Sequence, residues 1–165
     1  MSSRAGLWVT SGFTLIELVI SFAIFAILSG GAFIYIGNFN DRKNLDLAKD
    51  EVESYIRLAR NMAVSSKLPE GMGASSQLKL VGVETEADGK NLIVYGEDTL
   101  GDKVNYFEKE VNLGVKISGI SPESGLKFSI FSGKSVGEVD VEVTLTLVNG
   151  GDTRKIFIDK YGKIQ

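Results

Sequence analysis

The chain has 165 residues, of which 44% are hydrophobic, and 18 lysines and arginines against 21 aspartates and glutamates give it a formal net charge of −3. It contains no cysteine and no histidine, which excludes disulfides, thiolate or imidazole catalysis, and zinc sites built on those ligands. The length favours one domain of about 100–150 residues with room for one further element. The mild acidity argues against a dominant nucleic-acid surface, because such surfaces are usually basic.

The first predicted element is an apolar segment near the N-terminus. Residues 13–36 read FTLIELVISFAIFAILSGGAFIYI and contain one charge, Glu17, and no proline. A helix of this length measures about 36 Å, more than the roughly 30 Å of a bilayer's hydrocarbon core, so the segment predicts a single-pass transmembrane helix. Arg4 upstream favours a cytoplasmic N-terminus. A cleaved secretory signal is the alternative, although its apolar region usually has about 7–15 residues.

Residues 41–66 predict an amphipathic helix that continues the first one. Apolar residues recur at spacings of three and four, and charged residues fill most of the other positions. Because only residues 37–40 intervene, we expect one long helix whose second half packs on a soluble domain. A short coiled coil is the alternative. The predicted core-facing stripe consists of Leu45, Ala48, Val52, Tyr55, Ala59 and Met62, widened by Ile56 and Ala63.

After this helix, short β-rich runs separated by turn residues predict an antiparallel sheet over residues 76–165. The clearest run is 139–147, in which apolar and polar residues alternate strictly. Asn149-Gly150-Gly151-Asp152 predicts a hairpin turn into 154–159. The predicted fold class is therefore α+β, a long N-terminal helix packed on an antiparallel β-sheet domain. The other predicted strands centre on residues 78–80, 92–95, 104–107, 115–117, 126–130 and 156–158.

Glu17 is unusual because a carboxylate inside a membrane helix costs a few kcal/mol and by default marks a functional position. The residues Gly12-Phe13-Thr14-Leu15-Ile16-Glu17 match in order and spacing the processing motif of type IV prepilins. In that motif a polar leader ends in Gly, a Phe follows, and a Glu comes four residues later. The chain thus resembles the type IV pilin and type II secretion pseudopilin superfamily, whose fold is pilin-like. A solvated carboxylate at the membrane interface is the alternative interpretation of Glu17.

The resemblance implies that a membrane-embedded prepilin peptidase cleaves between Gly12 and Phe13 and that the new amino group of Phe13 is methylated. In the assembled filament Glu17 would pair with this amine of a neighbouring subunit, which neutralises a charge that is costly in apolar surroundings. The chain would be a non-enzymatic filament subunit. The implied domains are a cleaved leader at 1–12, a transmembrane and filament-core helix at 13–36, and a soluble pilin-like domain at 37–165.

Finer details resemble the GspH/FimT-like minor pseudopilins. Residues 58–63 are similar to that family's helix signature, Leu-x-x-Ala-Arg-x-x-Ala, and residues 156–164 to its terminal hairpin ending in a Gly turn. Many pilins have a proline midway through the apolar helix, whereas here Gly30 and Gly31 are the helix-weakening pair. Local unwinding at this pair during assembly and a close helix-packing face formed by Ala26 and Gly30 are equal alternatives.

The resemblance also implies partners and a location. The partners are other pilin-like subunits, the prepilin peptidase and an inner-membrane assembly platform, with membrane lipid around the helix before assembly. The location is the cytoplasmic membrane, with the soluble domain outside, and then the filament. Two other functions stay open, a DNA-binding minor pilin for competence and a plain single-pass anchored domain that is not cleaved.

Few other residues suggest chemistry, and no cofactor is expected. The two acidic clusters lack the regular spacing of a calcium loop and favour solvated turns. The basic residues near the C-terminus are a weak candidate for DNA contact, because Asp152 and Asp159 interrupt them. The acidic clusters are Glu84, Glu86 and Asp88, and Glu97, Asp98 and Asp102; the basic residues are Arg154, Lys155, Lys160 and Lys163.

Overall fold

The computed structural model divides at Phe39 and Asn40 into two compact units, each of which is described by itself. The division of the sequence into residues 1–12, 13–36 and 37–165 stays a prediction. The structure describes residues 12–73, 75–111, 114–122 and 125–165, with the exception of the side chains of 31–38.

Helix α1 covers Leu15–Ser65, which is the single long helix expected from the sequence. In the first unit, every large apolar side chain that the structure describes from Phe13 to Leu28 is at least 51% exposed. No helix among the described residues meets the length and apolarity needed to cross a membrane. The membrane-spanning helix over 13–36 therefore stays a prediction.

The second unit contains seven strands in two antiparallel sheets. The first sheet has the strand order β3-β2-β1-β5 and the second β4-β6-β7. The predicted hairpin turn at 149–152 joins β6 to β7, as expected. The strands are β1 Leu78–Thr85, β2 Asn91–Asp98, β3 Lys103–Glu110, β4 Val115–Ser121, β5 Leu126–Ser129, β6 Val141–Leu147 and β7 Thr153–Ile158.

Several strands run beyond the predicted residues, and the differences at β1 and β6 have local causes. β1 extends to Thr85, further than the predicted run. Its centre is buried on both faces, and such a strand does not show the apolar and polar alternation from which strands are predicted. Gly82 lies there beneath Tyr95, whose ring occupies the space that a Cβ atom on residue 82 would need. β6 begins at Val141 rather than at residue 139. The preceding Asp140 instead accepts a hydrogen bond from the Lys160 backbone N–H at 2.8 Å.

The second half of α1 buries its apolar stripe in one core shared with both sheets. The stripe is confirmed, but its centre lies one residue further along than the sequence suggested. Ile56 is 1% exposed, whereas Tyr55 and Met62 are only partly buried at the margin. At the margin, the Tyr55 hydroxyl donates a hydrogen bond to Glu51 at 3.0 Å. The helical residues with the least exposure are Leu45, Ala48, Val52, Ile56, Ala59 and Ala63.

β3 is tied to the segment that follows α1 through Tyr106. The Tyr106 hydroxyl donates a hydrogen bond to the backbone carbonyl of Lys67. Burial raises the pKa of Tyr106 to about 12, so the phenol keeps its proton, and this donor, even in mildly alkaline solution.

Candidate functional site

The start of α1 is closed by a reciprocal pair of hydrogen bonds between Thr14 and Glu17. The Glu17 N–H donates to Thr14 Oγ1 at 3.3 Å, and Glu17 Oε2 accepts from both the Thr14 N–H and the Thr14 hydroxyl at 2.9 Å. This arrangement is a capping box, in which a Thr before the helix and a Glu three residues later each satisfy a free backbone N–H. The Thr-x-x-Glu spacing at residues 14–17 is the sequence signal of this cap.

The capping box places the Glu17 carboxylate beside the backbone of Thr14, the residue that directly follows Phe13. Glu17 therefore has a local structural role in addition to the pairing with an amine that the resemblance implies. That pairing stays a prediction. A cap of this kind stabilises the start of a helix, so the local role has to be separated by experiment from a role in assembly.

The predicted cleavage site lies outside the helix. Gly12 and Phe13 precede α1, Phe13 is 87% exposed, and a Cβ atom placed on Gly12 would have nothing within 4 Å. The Gly12–Phe13 bond thus joins two exposed residues outside the helix, and cleavage at this bond stays a prediction. Gly30 and Gly31 both lie inside α1, so unwinding at this pair and close helix packing remain alternative predictions.

The four basic residues proposed for DNA contact lie on β7 and in the turn that follows it. Arg154 Nε lies 2.7 Å from Asp46 Oδ1, and Lys155 Nζ lies 3.0 Å from Glu142 Oε1. The two neighbours on β7 point to opposite faces of the sheet because side chains alternate along a strand. Lys160 and Lys163 lie in the turn after β7, where Lys160 Nζ is 5.3 Å from the centre of the Tyr161 ring. Carboxylates thus pair with two of the four basic side chains, Arg154 and Lys155.

The first acidic cluster is occupied by contacts within the chain. Lys103 Nζ donates a hydrogen bond to Glu84 Oε2 at 2.9 Å, and this bond raises the pKa of Lys103. Glu86 accepts a hydrogen bond from the Asn91 side chain at 2.9 Å. Asp88 accepts one from the backbone of Lys90.

The second acidic cluster is held in the same way. Glu97 pairs with Lys79 at 3.2 Å, and the buried Asp98 accepts from the backbone N–H groups of Leu100 and Asp102 at 2.9 Å each. Within the part of the chain that the structure describes, no three acidic side chains are grouped so as to hold a metal ion.

Arg60, the arginine of the helix signature, connects α1 to two loops. Its Nε donates to the Gly133 carbonyl at 3.1 Å and its Nη2 to the Tyr161 carbonyl at 3.4 Å. Gly162 has a φ of +75°, and a Cβ atom there would meet Arg60 Nε at 2.9 Å as well as the Gly133 carbonyl. The glycine turn at the end of the chain therefore leaves the space that the arginine occupies.

Comparisons with known proteins bear on the N-terminal motif and on the fold. Residues 10–33 match the family described as "Prokaryotic N-terminal methylation motif". The structure is similar to that of the minor pseudopilin EpsH from the type 2 secretion system of Vibrio cholerae, with a TM-score of 0.52 and 10% sequence identity over 74% of this chain and 94% of EpsH. The chain therefore carries a prokaryotic N-terminal methylation motif and has a fold similar to that of a minor pseudopilin.

The two findings support different parts of this conclusion. The methylation motif covers the beginning of α1, and the likeness to EpsH, at this low identity, establishes the fold. Together they confirm the resemblance to the type IV pilin and pseudopilin superfamily and the α+β fold class expected from the sequence. No curated protein matches the sequence.

Proposed function

We propose that this chain is a minor subunit of a type II secretion pseudopilus or a type IV pilus, with no enzymatic activity of its own. The observation that carries the proposal is the methylation motif at residues 10–33, at the start of the helix of a chain with a minor-pseudopilin fold. The subunit is made as a precursor and held in the inner membrane by a single helix with its N-terminus in the cytoplasm. An assembly platform then transfers it into the filament.

The exposed apolar surface of the first unit supports this sequence of events. Large apolar side chains from Phe13 to Leu28 that leave at least half of their surface open are unfavourable in water. A bilayer before assembly, and the helices of neighbouring subunits afterwards, would cover this surface. Phe13 and Leu28 lie at its two ends, so the covering partner has to extend along several helical turns.

The proposal assigns the processing step to the bond between Gly12 and Phe13. Cleavage there leaves a cationic amine at Phe13. The next residue, Thr14, already donates a backbone hydrogen bond to the Glu17 carboxylate. In the filament the Glu17 carboxylate pairs with the amine of a neighbouring subunit. Neither charge is then left alone in apolar surroundings, where an unpaired charge is costly.

The alternatives have less support. A plain anchored domain explains the apolar helix but gives no reason for the methylation motif. A DNA-binding minor pilin requires a continuous basic surface, and the carboxylates of Asp46 and Glu142 already pair with two of the four candidate residues.

Cell fractionation tests the proposed assembly. In cells that contain the assembly machinery, we expect the chain in the fraction of filaments sheared from the cell surface, together with other pilin-like subunits. In cells that lack the prepilin peptidase, the full precursor should stay in the inner membrane. Recovery of the chain in the membrane alone, in equal amount with and without the peptidase, would support the plain anchor and contradict the proposal.

A further inference from the structure

A small cavity of about 190 Å³ lies between the second half of α1 and the turn that follows β7. We call it the α1–turn cavity. Three of its lining side chains are cationic and none is a carboxylate. It is lined by Arg57, Arg60, Asn61, Gly162, Lys163 and Ile164.

Arg60 is distinct among the four arginines of the described residues. Arg42, Arg57 and Arg154 each have a carboxylate oxygen within 4 Å, whereas no ion pair of Arg60 is found in the described part of the chain. Its two hydrogen bonds to backbone carbonyls use two of the five N–H donors of a guanidinium. Arg60 is thus held in a fixed position while its positive charge stays uncompensated.

Lys163 adds a second uncompensated charge at the same cavity. Its backbone N–H donates to Asp159 Oδ1 at 2.8 Å, which fixes the turn that brings Lys163 to the cavity. Within the described ranges, no carboxylate pairs with the Lys163 ammonium. Arg57 is partly neutralised by Glu53 at 3.5 Å, so the cavity keeps a net positive charge.

We propose that the α1–turn cavity binds an oxyanion, the carboxylate or phosphate group of a ligand. A guanidinium offers parallel N–H donors that match two oxygens of either group, and hydrogen bonds between charged partners are the strongest in proteins. A volume equal to several water molecules of about 30 Å³ each admits one such group. The site shares Lys163 alone with the four residues proposed for DNA contact, and its other lining residues lie outside that set.

NMR titration of the full chain in detergent micelles tests this site. Sodium acetate and sodium phosphate are added separately while sodium chloride keeps the ionic strength constant. We expect saturable shifts of the Arg60 side-chain Nε–H signal and of the Gly162 and Lys163 backbone amide signals with at least one probe. Saturation with acetate alone identifies a carboxylate as the ligand group, saturation with phosphate alone a phosphate, and saturation with both the shared oxyanion chemistry.

Two lysine variants separate a site from general attraction. Lys163→Ala should raise the dissociation constant about fivefold, since a partly exposed charge contact contributes up to about 1 kcal/mol. Lys109→Ala, a matched change of an exposed lysine on β3, should leave the dissociation constant unchanged. Linear shifts that do not saturate with either probe, or equal weakening by both variants, would overturn the proposal.

Discussion

Ile56→Asp is expected to abolish cooperative thermal unfolding of the second unit, measured by circular dichroism on a chain that begins at Asn40. This compact unit should fold and stay soluble without the preceding residues. Ile56 is 1% exposed in the core, where losing an aliphatic side chain costs about 2–5 kcal/mol. An unpaired buried charge adds several more. The combined loss of stability is comparable with the whole of the roughly 5–15 kcal/mol that stabilises a domain.

Leu58→Asp is the matched control, because it introduces the same charge two residues further along the same helix. Leu58 is 42% exposed, so its aspartate stays in water and the unfolding transition should persist. Glu53→Lys is a poorer control because Glu53 pairs with Lys49 at 3.6 Å and Arg57 at 3.5 Å. If Leu58→Asp unfolded the unit while Ile56→Asp did not, the assigned face of the helix would be wrong.

Glu17→Val is expected to remove the chain from filaments while leaving the thermal unfolding of the second unit unchanged. Breaking a buried ion pair by removing one partner costs about 3–5 kcal/mol, a loss of more than about a hundredfold in an association constant. The readout is the amount of chain in the sheared filament fraction, relative to the amount in the membrane. Normal incorporation of this variant would show that Glu17 has no role in assembly.

Glu17→Gln separates the two roles of this residue. A glutamine oxygen can still accept the hydrogen bonds of the capping box, but it carries no charge to pair with an amine. We expect this variant to fail in assembly as Glu17→Val does. If it assembles normally while Glu17→Val fails, the helix cap and not the charge is what assembly requires.

The helix and the strands were predictable because their signals are local in the sequence. The stripe on α1 follows from its period, yet its centre was misplaced by one residue. Tyr55 and Ile56 are adjacent and both largely apolar, so only the position of the sheets decides which of the two faces the core. The double-sided burial of β1 was missed for a similar reason, because the contact of Gly82 with Tyr95 depends on strand pairing.

The candidate sites likewise differ in whether their residues are close together in the sequence. The motif at Gly12, Phe13 and Glu17 was recognisable because its residues are adjacent in the sequence. The α1–turn cavity was not recognisable, because Arg60 donates hydrogen bonds to Gly133 and Tyr161, which lie 73 and 101 positions further along the chain. The basic residues near the C-terminus were grouped by their sequence positions, although strand alternation separates Arg154 from Lys155.

Mass spectrometry of the mature N-terminus tests the central claim most directly. The chain is purified from cells with an active prepilin peptidase, and the account predicts that it begins with an N-methylated Phe13. Gly12→Asp should block this processing, whereas the matched change Gly6→Asp, within the same leader, should allow it. A mature wild-type chain that still carries residues 1–12 under these conditions would contradict the assignment as a processed filament subunit.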